Sequence, residues 1–281
     1  MAADQSVPVP RGRRPASWFA PRVLGRFVWA YFELNLSSAM EYRAAFLSQA
    51  IGMALNDGMM IFFWALFFRQ FPQLGGWAMP DVLRLWGIVA LSFGLATAIF
   101  GNCARLASLI ASGQLDYYLT LPKNPLLHVL VSRMSTPAWG DVAFGLLAFA
   151  LAGNVSPGSV LLFLSFALSG SALVVAYHVL AGSLAFWLGN SEALSSQASA
   201  TLINFATYPG SIFQGWVKVL TFVLVPAGLV GHLPVQLLRQ FDPLAYLAVL
   251  AGAAAFTLLA AGVFRLGLRR YESGSLLTLR G

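Results

Sequence analysis

Long apolar runs separated by short loops dominate this chain, and they confine it to folds whose segments sit in lipid and satisfy their backbone polar groups internally. Hydrophobic residues make up 58% of the sequence and charged residues 10%, a balance suited to lipid rather than water. The chain therefore reads as an all-α polytopic membrane protein. Its two lysines, Lys123 and Lys218, lie outside any Gly-x-x-x-x-Gly-Lys-Ser/Thr pattern, so no loop of that kind is present to cradle nucleotide phosphates. If ATP drives this protein, another subunit must bind it.

The 281 residues leave room for about six spans of roughly 20 residues, with loops too short for a second soluble domain. Residues 1–20 are Pro- and Arg-rich and are expected to be disordered; residues 21–281 form one membrane domain. From Pro21 to Tyr42, Val23, Leu24, Phe27, Val28, Tyr31, Phe32 and Leu36 alternate with Arg22, Arg26, Glu33 and Asn35, which suits an interfacial helix better than a crossing one. Spans are expected over about 44–68, 82–101, 130–151, 160–188, 193–208 and 244–264. The third is interrupted by Pro137, and the fourth run is longer than a membrane requires, so it should tilt or project. A continuous helix over 193–230 would measure about 57 Å, nearly twice the hydrocarbon thickness of about 30 Å. Tyr208, Pro209, Gly210 and Pro226 interrupt it. The pattern predicts a fifth span ending near Tyr208 and a re-entrant segment over about 211–230, where broken backbone needs protein or a wet cavity around it.

Charge sets the expected orientation. Of the seventeen basic residues, all but Arg69, Arg84, Lys218 and Arg239 fall on one side if the N-terminus, the polar interval from Asn102 to His128 and the C-terminus share that side. The positive-inside rule then makes both ends cytoplasmic, with six spans an allowed even number. The same topology accounts for the net charge of +7 without nucleic acid, because basic residues also meet anionic headgroups. The single Cys103 excludes an internal disulfide framework and reads as a small packing residue. The basic N-terminus lacks the short apolar core and small-residue site of a cleaved signal peptide.

Polar residues inside the apolar runs are the candidate path residues. Asn56 and Asp57 sit near the middle of the first run, where an ionised carboxylate costs on the order of 2.5–3.5 kcal/mol. Asp57 must face protein or a cavity, as part of a substrate path, a dimer-interface hydrogen bond, or a protonated or paired group against a neighbouring helix. Arg133 and Asp141 fall on roughly one helical face at a distance of about 12 Å. His178, midway along the fourth run, is a helix-packing hydrogen-bonder or a proton carrier. Ser195, Ser199 and Asn204 either line a polar passage or let helices pack closely. No His, Cys, Asp or Glu spacing suggests a metal site. Catalytic residues are not evident either, since Gly182-Ser183 lacks a nucleophile elbow and the acids are scattered.

Several short stretches together resemble one subfamily of permeases. They are Glu41-Tyr42-Arg43-Ala44-Ala45-Phe46, Gly113-Gln114-Leu115-Asp116-Tyr117-Tyr118-Leu119, Pro122-Lys123-Asn124-Pro125-Leu126, Tyr208-Pro209, Val225-Pro226-Ala227 and Gly267-Leu268-Arg269-Arg270-Tyr271-Glu272-Ser273. Their order resembles ABC transporter permeases of the type-two exporter class, in a subfamily often encoded as two different permeases beside one ATPase. The resemblance implies a bacterial cytoplasmic-membrane exporter subunit that forms its path with a second permease, the same or a related chain, and binds two copies of a separate ATPase. ATP and Mg would be held by that ATPase and no cofactor by this chain. A coupling helix is implied within Asn102–Leu121, with Gly113, Gln114, Leu115, Asp116, Tyr117 and Tyr118 as ATPase contacts; its tyrosines are suited to an interface, though such a helix could instead rest on lipid. Tyr208, Pro209, Gly210 and Pro226 would form a re-entrant gate. A proton-coupled secondary transporter or channel using Asp57 and His178 is the alternative, which should carry an inverted repeat with a broken helix in each half. A purely structural membrane anchor would have no need for Asp57.

Overall fold

The computed structural model describes residues 21–122, 124–153 and 155–271. The basic segment 1–20, Lys123 and the end of the chain beyond Tyr271 lie outside them. The described residues are helical throughout, apart from turns and one isolated bridge between Leu74 and Trp77. Helix α1 (Pro21–Glu41) is followed by α2 (Arg43–Gln70) and α3 (Met79–Ile99). Four short helices come next. A 3-10 turn (Gly101–Arg105) leads into α4 (Leu106–Ala111), α5 (Leu115–Leu119) and α6 (Pro125–Val131). Then follow α7 (Ala138–Leu151), α8 (Pro157–Ser183), α9 (Ala185–Leu188) and α10 (Glu192–Thr207). A broken pair, α11 (Gly215–Val223) and a π turn (Gly228–His232) running into α12 (Leu233–Arg239), precedes α13 (Pro243–Leu268).

Helix starts follow a local rule. Asn124, Ser156 and Asp242 each accept a backbone N–H from the first turn of the helix they precede, at 3.0, 3.1 and 3.0 Å, and each is followed by a proline. A short polar side chain satisfies an orphan donor, and proline at the first helical position needs none. Asp81 closes the start of α3 in reverse, accepting from the Ala78 N–H at 2.9 Å.

Among the described residues four helices are long and apolar enough to cross a membrane: α2, α3, α8 extended through α9, and α13; the broken pair, bent by 84°, brings the number to five if it counts as one span. The expected third span over 130–151 is helical without interruption only from Ala138 to Leu151. At 14 residues α7 is about 21 Å long, short of the hydrocarbon thickness. A non-helical stretch over residues 132–137, ending in Pro137, separates it from α6. Helix α10, 16 residues rich in Ser, Thr and Gln, also falls short. The stretch expected to re-enter over 211–230 forms the first part of this bent pair, which runs on through α12 to Arg239.

Helix α3 is the axis of the bundle: 72% of its central window is buried, against 17% for α2 and 22% for α13. Lipid offers no hydrophobic drive for helices to associate, so close approach of small residues carries the packing. Gly145 of α7 illustrates it, since a Cβ there would stand 2.7 Å from the Leu91 nitrogen and 2.8 Å from the Gly87 carbonyl of α3. Gly140 does the same against α2, where a Cβ would stand 2.8 Å from Met53 Cβ and 2.9 Å from the Ala54 nitrogen. Phe149 of α7 and Phe163 of α8 stack at 3.9 Å between centroids.

The two ends of the bundle differ. At one end a second core, with Cys103, Leu106, Leu115, Val129, Val179 and Phe264 among its members, fixes the short helices to α8 and α13. There α1 lays the face containing Phe27, Tyr31 and Asn35 on α6: Tyr31 is hydrogen-bonded to His128 at 3.2 Å and Asn35 donates to the Val131 carbonyl at 3.0 Å. At the other end Asp81 accepts from Arg239 Nε at 2.6 Å and from Arg84 at 3.4 Å, while the Arg239 guanidinium lies 5.2 Å from the Trp77 ring centroid.

Candidate functional site

A cavity of about 750 Å³ lies between α2, α3, α7 and the end of α10. Its floor is buried, with Asp57, Trp64, Trp86 and Asp141 all below 9% exposure. Its rim is exposed, at Met59, Phe63, Ile203 and Tyr208. The cavity is therefore half open, on the side where α2 has no neighbour. The wall is mostly apolar and aromatic, and the residues lining it include no lysine, arginine or histidine.

Asp57 and Asp141 meet on the floor. Gly140 lets α2 lie against the first turn of α7, which brings Asp57 and Asp141 to the same buried floor, near enough for their charges to interact. Two neighbouring buried carboxylates repel, so such a pair favours holding a proton or a cation. Asp57 Oδ2 is buried without a protein donor, and so is the Trp86 indole N–H without an acceptor. Buried polar atoms are almost always satisfied by something.

The expected path residues separate here. Asn56, Asp57 and Asn204 line the cavity; His178 and Ser199 do not. His178 lies on α8, with its Nδ1 on the Val174 carbonyl at 2.7 Å and its ring against the edge of Phe93. Ser199 donates to the Ser195 carbonyl of its own helix at 2.9 Å. Asp57 and His178 are thus not joined by the hydrogen bonds of the described residues, and no group of three or more His, Cys, Asp or Glu there is placed to hold a metal.

The sequence marks Asp141 by its spacing to Arg133 and gives Trp86 no mark as a site residue. Asp141 carried a signal, an acid directly after glycine in an apolar run, but its contact with Asp57 depends on which helices pack together. Arg133, expected on the same helical face as Asp141, lies in the non-helical stretch before α7 and is exposed.

The broken segment closes the α10 end of the cavity. Tyr208 packs edge-on against Trp64 at 6.0 Å, Pro209 is buried, and Gly210 allows the His232 ring within 2.9 Å of where its Cβ would stand. His232 Nε2 donates to the carbonyls of Phe205 and Tyr208, at 3.0 and 3.1 Å. These are carbonyls that the end of α10 leaves unpaired, and Phe213 stacks on the same ring at 5.5 Å. Pro226 is buried at the bend before the π turn. His232 is the residue that ties the break together.

At the end with the second core, the expected ATPase contacts are mounted differently from one another. Gly113 makes the turn between α4 and α5 at φ +75°, a left-handed conformation suited to glycine. Leu115 is fully buried in the second core, Tyr118 bonds to Ser132 at 2.9 Å, and Gln114 and Tyr117 are exposed. Burial and the neighbouring Asp116 carboxylate push the Tyr271 phenol up to about 12. Burial, then the nearby Tyr117 and Tyr118 hydroxyls, raise Tyr31. Helix α5 is thus held by α6, α1 and the end of α13, with Tyr117 projecting outward at 67% exposure.

Residues 54–275, which include the cavity, α5 and the broken segment, match the family described as ABC-2 family transporter protein. No curated protein and no solved structure matches the chain.

Proposed function

From the premise that the chain belongs to the ABC-2 transporter family, we propose that it is the permease subunit of an ATP-driven exporter in the cytoplasmic membrane. It pairs with a second permease and takes its power from separate ATPase subunits. The half-open cavity beside α2 carries this reading. Ile51, Leu55, Met59, Phe62 and Phe63 form an exposed stripe on α2 next to the cavity mouth. Lipid tails can cover such a stripe, but they cannot close a cavity with two carboxyl groups on its floor, because hydrocarbon solvates neither charge nor hydrogen bond. A second permease facing α2 and α10 supplies the missing wall.

The end with α1 and α4–α6, where Arg265, Arg269 and Arg270 close α13, faces the cytoplasm, and Tyr117 is the anchor for the ATPase. Movement of the ATPase reaches the spans through the second core, because Leu115 sits in the same cluster as Val179 of α8 and Phe264 of α13. Rigid elements of this kind transmit displacement without absorbing it. The broken segment, tied by His232 to the end of α10, acts as the outer gate. The proton-coupled alternative is set aside: His178 lies outside the cavity that holds Asp57.

The test is co-expression of the tagged chain with candidate ATPases, followed by purification and measurement of ATP hydrolysis. A stoichiometric ATPase is expected, with association weakened at least tenfold by Tyr117→Ala and unchanged by Glu192→Gln. Absence of any ATPase partner overturns the reading, and unchanged association of Tyr117→Ala moves the docking site elsewhere.

A further inference from the structure

We propose that the cavity between α2, α3, α7 and α10 binds an apolar organic cation, with the Asp57–Asp141 pair as its counter-charge. The inference deepens the permease reading, and rests on it for the claim that such a cation is cargo; cation binding itself stands separately.

Three features of the site point the same way. Its volume of about 750 Å³ falls within the roughly 300–1,000 Å³ of pockets that enclose drug-sized ligands. Its wall is aromatic and sulfur-rich, with Trp64, Trp86, Phe63, Phe93, Met53 and Met60 contributing. Indole and phenyl faces attract cations, most strongly where water is excluded, and methionine adapts its shape to irregular apolar bodies. The only ionisable groups deep in this wall are Asp57 and Asp141. Two carboxyl groups sharing a buried site disfavour double ionisation, so the pair presents about one negative charge, which a monocation neutralises. An anion would meet that negative charge with no lysine, arginine or histidine in the lining to offset it.

Two unpartnered atoms sharpen the chemistry. Asp57 Oδ2 is an acceptor without a donor, on a residue 5% exposed, and Trp86 Nε1 is a donor without an acceptor, on a residue 8% exposed. Both residues line the cavity. A cationic centre near Asp57 Oδ2 offsets the charge there, and a ligand that also carries a polar acceptor can pair with the Trp86 N–H; a simple hydrocarbon or an acyl chain does neither. A bare metal ion fits poorly, because the remaining wall offers it mainly carbon.

The experiment uses the full chain in nanodiscs of zwitterionic lipid, with tetraphenylphosphonium as probe and tetraphenylborate, its counterpart of opposite charge, as comparison. Equilibrium dialysis is expected to show saturable tetraphenylphosphonium binding, weakened at least tenfold by Asp57→Asn and by Asp141→Asn and unchanged by Glu192→Gln, which removes an exposed carboxylate. Quenching of tryptophan emission by the bound probe is expected to fall in Trp86→Phe, which keeps the site measurable if an Asp variant fails to fold. Saturable tetraphenylborate binding of equal strength overturns the proposal, as does tetraphenylphosphonium binding that both Asp variants retain, or its full displacement by sodium or calcium at concentrations near the probe's own. If the probe binds as expected and no ATPase associates, the cation site stands and the exporter reading falls; if an ATPase associates and the probe does not bind, the reverse holds.

Discussion

Replacing Gly140 with alanine should loosen the contact that brings the two carboxyl groups together. A Cβ at this position would collide with the Ala50 carbonyl oxygen and stand 2.8 Å from Met53 Cβ and 2.9 Å from the Ala54 nitrogen, where ordinary contact begins at 3.4 Å, so α2 must retreat by about 1 Å in a tightly packed interior. Overpacking of this size costs about 1–3 kcal/mol. Alanine also favours helix over glycine by up to about 1 kcal/mol, so the variant needs a control that shares this gain. Gly262, in α13, provides it, because nothing lies within 4 Å of its Cβ position. The difference between Gly140→Ala and Gly262→Ala isolates the steric cost. At about 2–4 °C per kcal/mol for a chain of this size, the apparent midpoints should differ by about 2–12 °C. Detergent-solubilised protein, heated in steps under one regime and scored by its remaining monodisperse fraction, reports this difference even when unfolding is irreversible. Equal midpoints would refute the claimed contact between α2 and α7.

Asp81→Ala removes the acceptor for the Ala78 N–H together with the carboxylate gripped by Arg239 and Arg84. It should cost about 1–2 kcal/mol, against about 0–1 kcal/mol for Arg84→Ala, read as the same midpoints; equal losses would show that the Asp81 cluster is not shared as described. Cys103, in the turn after α3, is fully buried and its thiol is pushed up to about 12 by that burial. Maleimide at neutral pH should leave it unlabelled in the folded protein and label it completely in dodecyl sulfate; rapid native labelling would mean that the second core opens. Tyr271 holds its proton more tightly folded than unfolded, about 12 against 10.0. Its contribution is therefore complete below about pH 10 and is lost as pH rises through about 12. The alkaline fall in midpoint should flatten in Tyr271→Phe, and parallel curves would remove Asp116 and Tyr271 from the docking end.

Periodicity and composition made the helices legible because each depends on neighbours within a turn or two. The apolar runs located α2, α3, α8 and α13 closely. The break at Tyr208-Pro209-Gly210 and Pro226 was equally local, since proline denies the helix a donor wherever it falls. Length misled at the third run: apolar residues continue from Leu130 to Leu151, and hydropathy does not register that the chain leaves the helix over residues 132–137.

The sequence by itself determined that this chain lies in a membrane as helices, where its four long apolar helices run, that the chain breaks at Tyr208–Gly210 and Pro226, and that Asp57 must be sheltered by protein, because burying a carboxylate in hydrocarbon is costly whatever the fold. Only the tertiary structure decided who shelters it. Asp57 and Asp141 are 84 positions apart in the numbering, and they meet because Gly140 lacks the Cβ that would hold α2 away. Tertiary packing also placed His178 behind Phe93 rather than in the cavity, buried Leu115 while leaving Tyr117 exposed, and laid His232 over the end of α10. Each of these is a relation between helices fixed by shape at the contact, a property that no single helix carries in its own sequence.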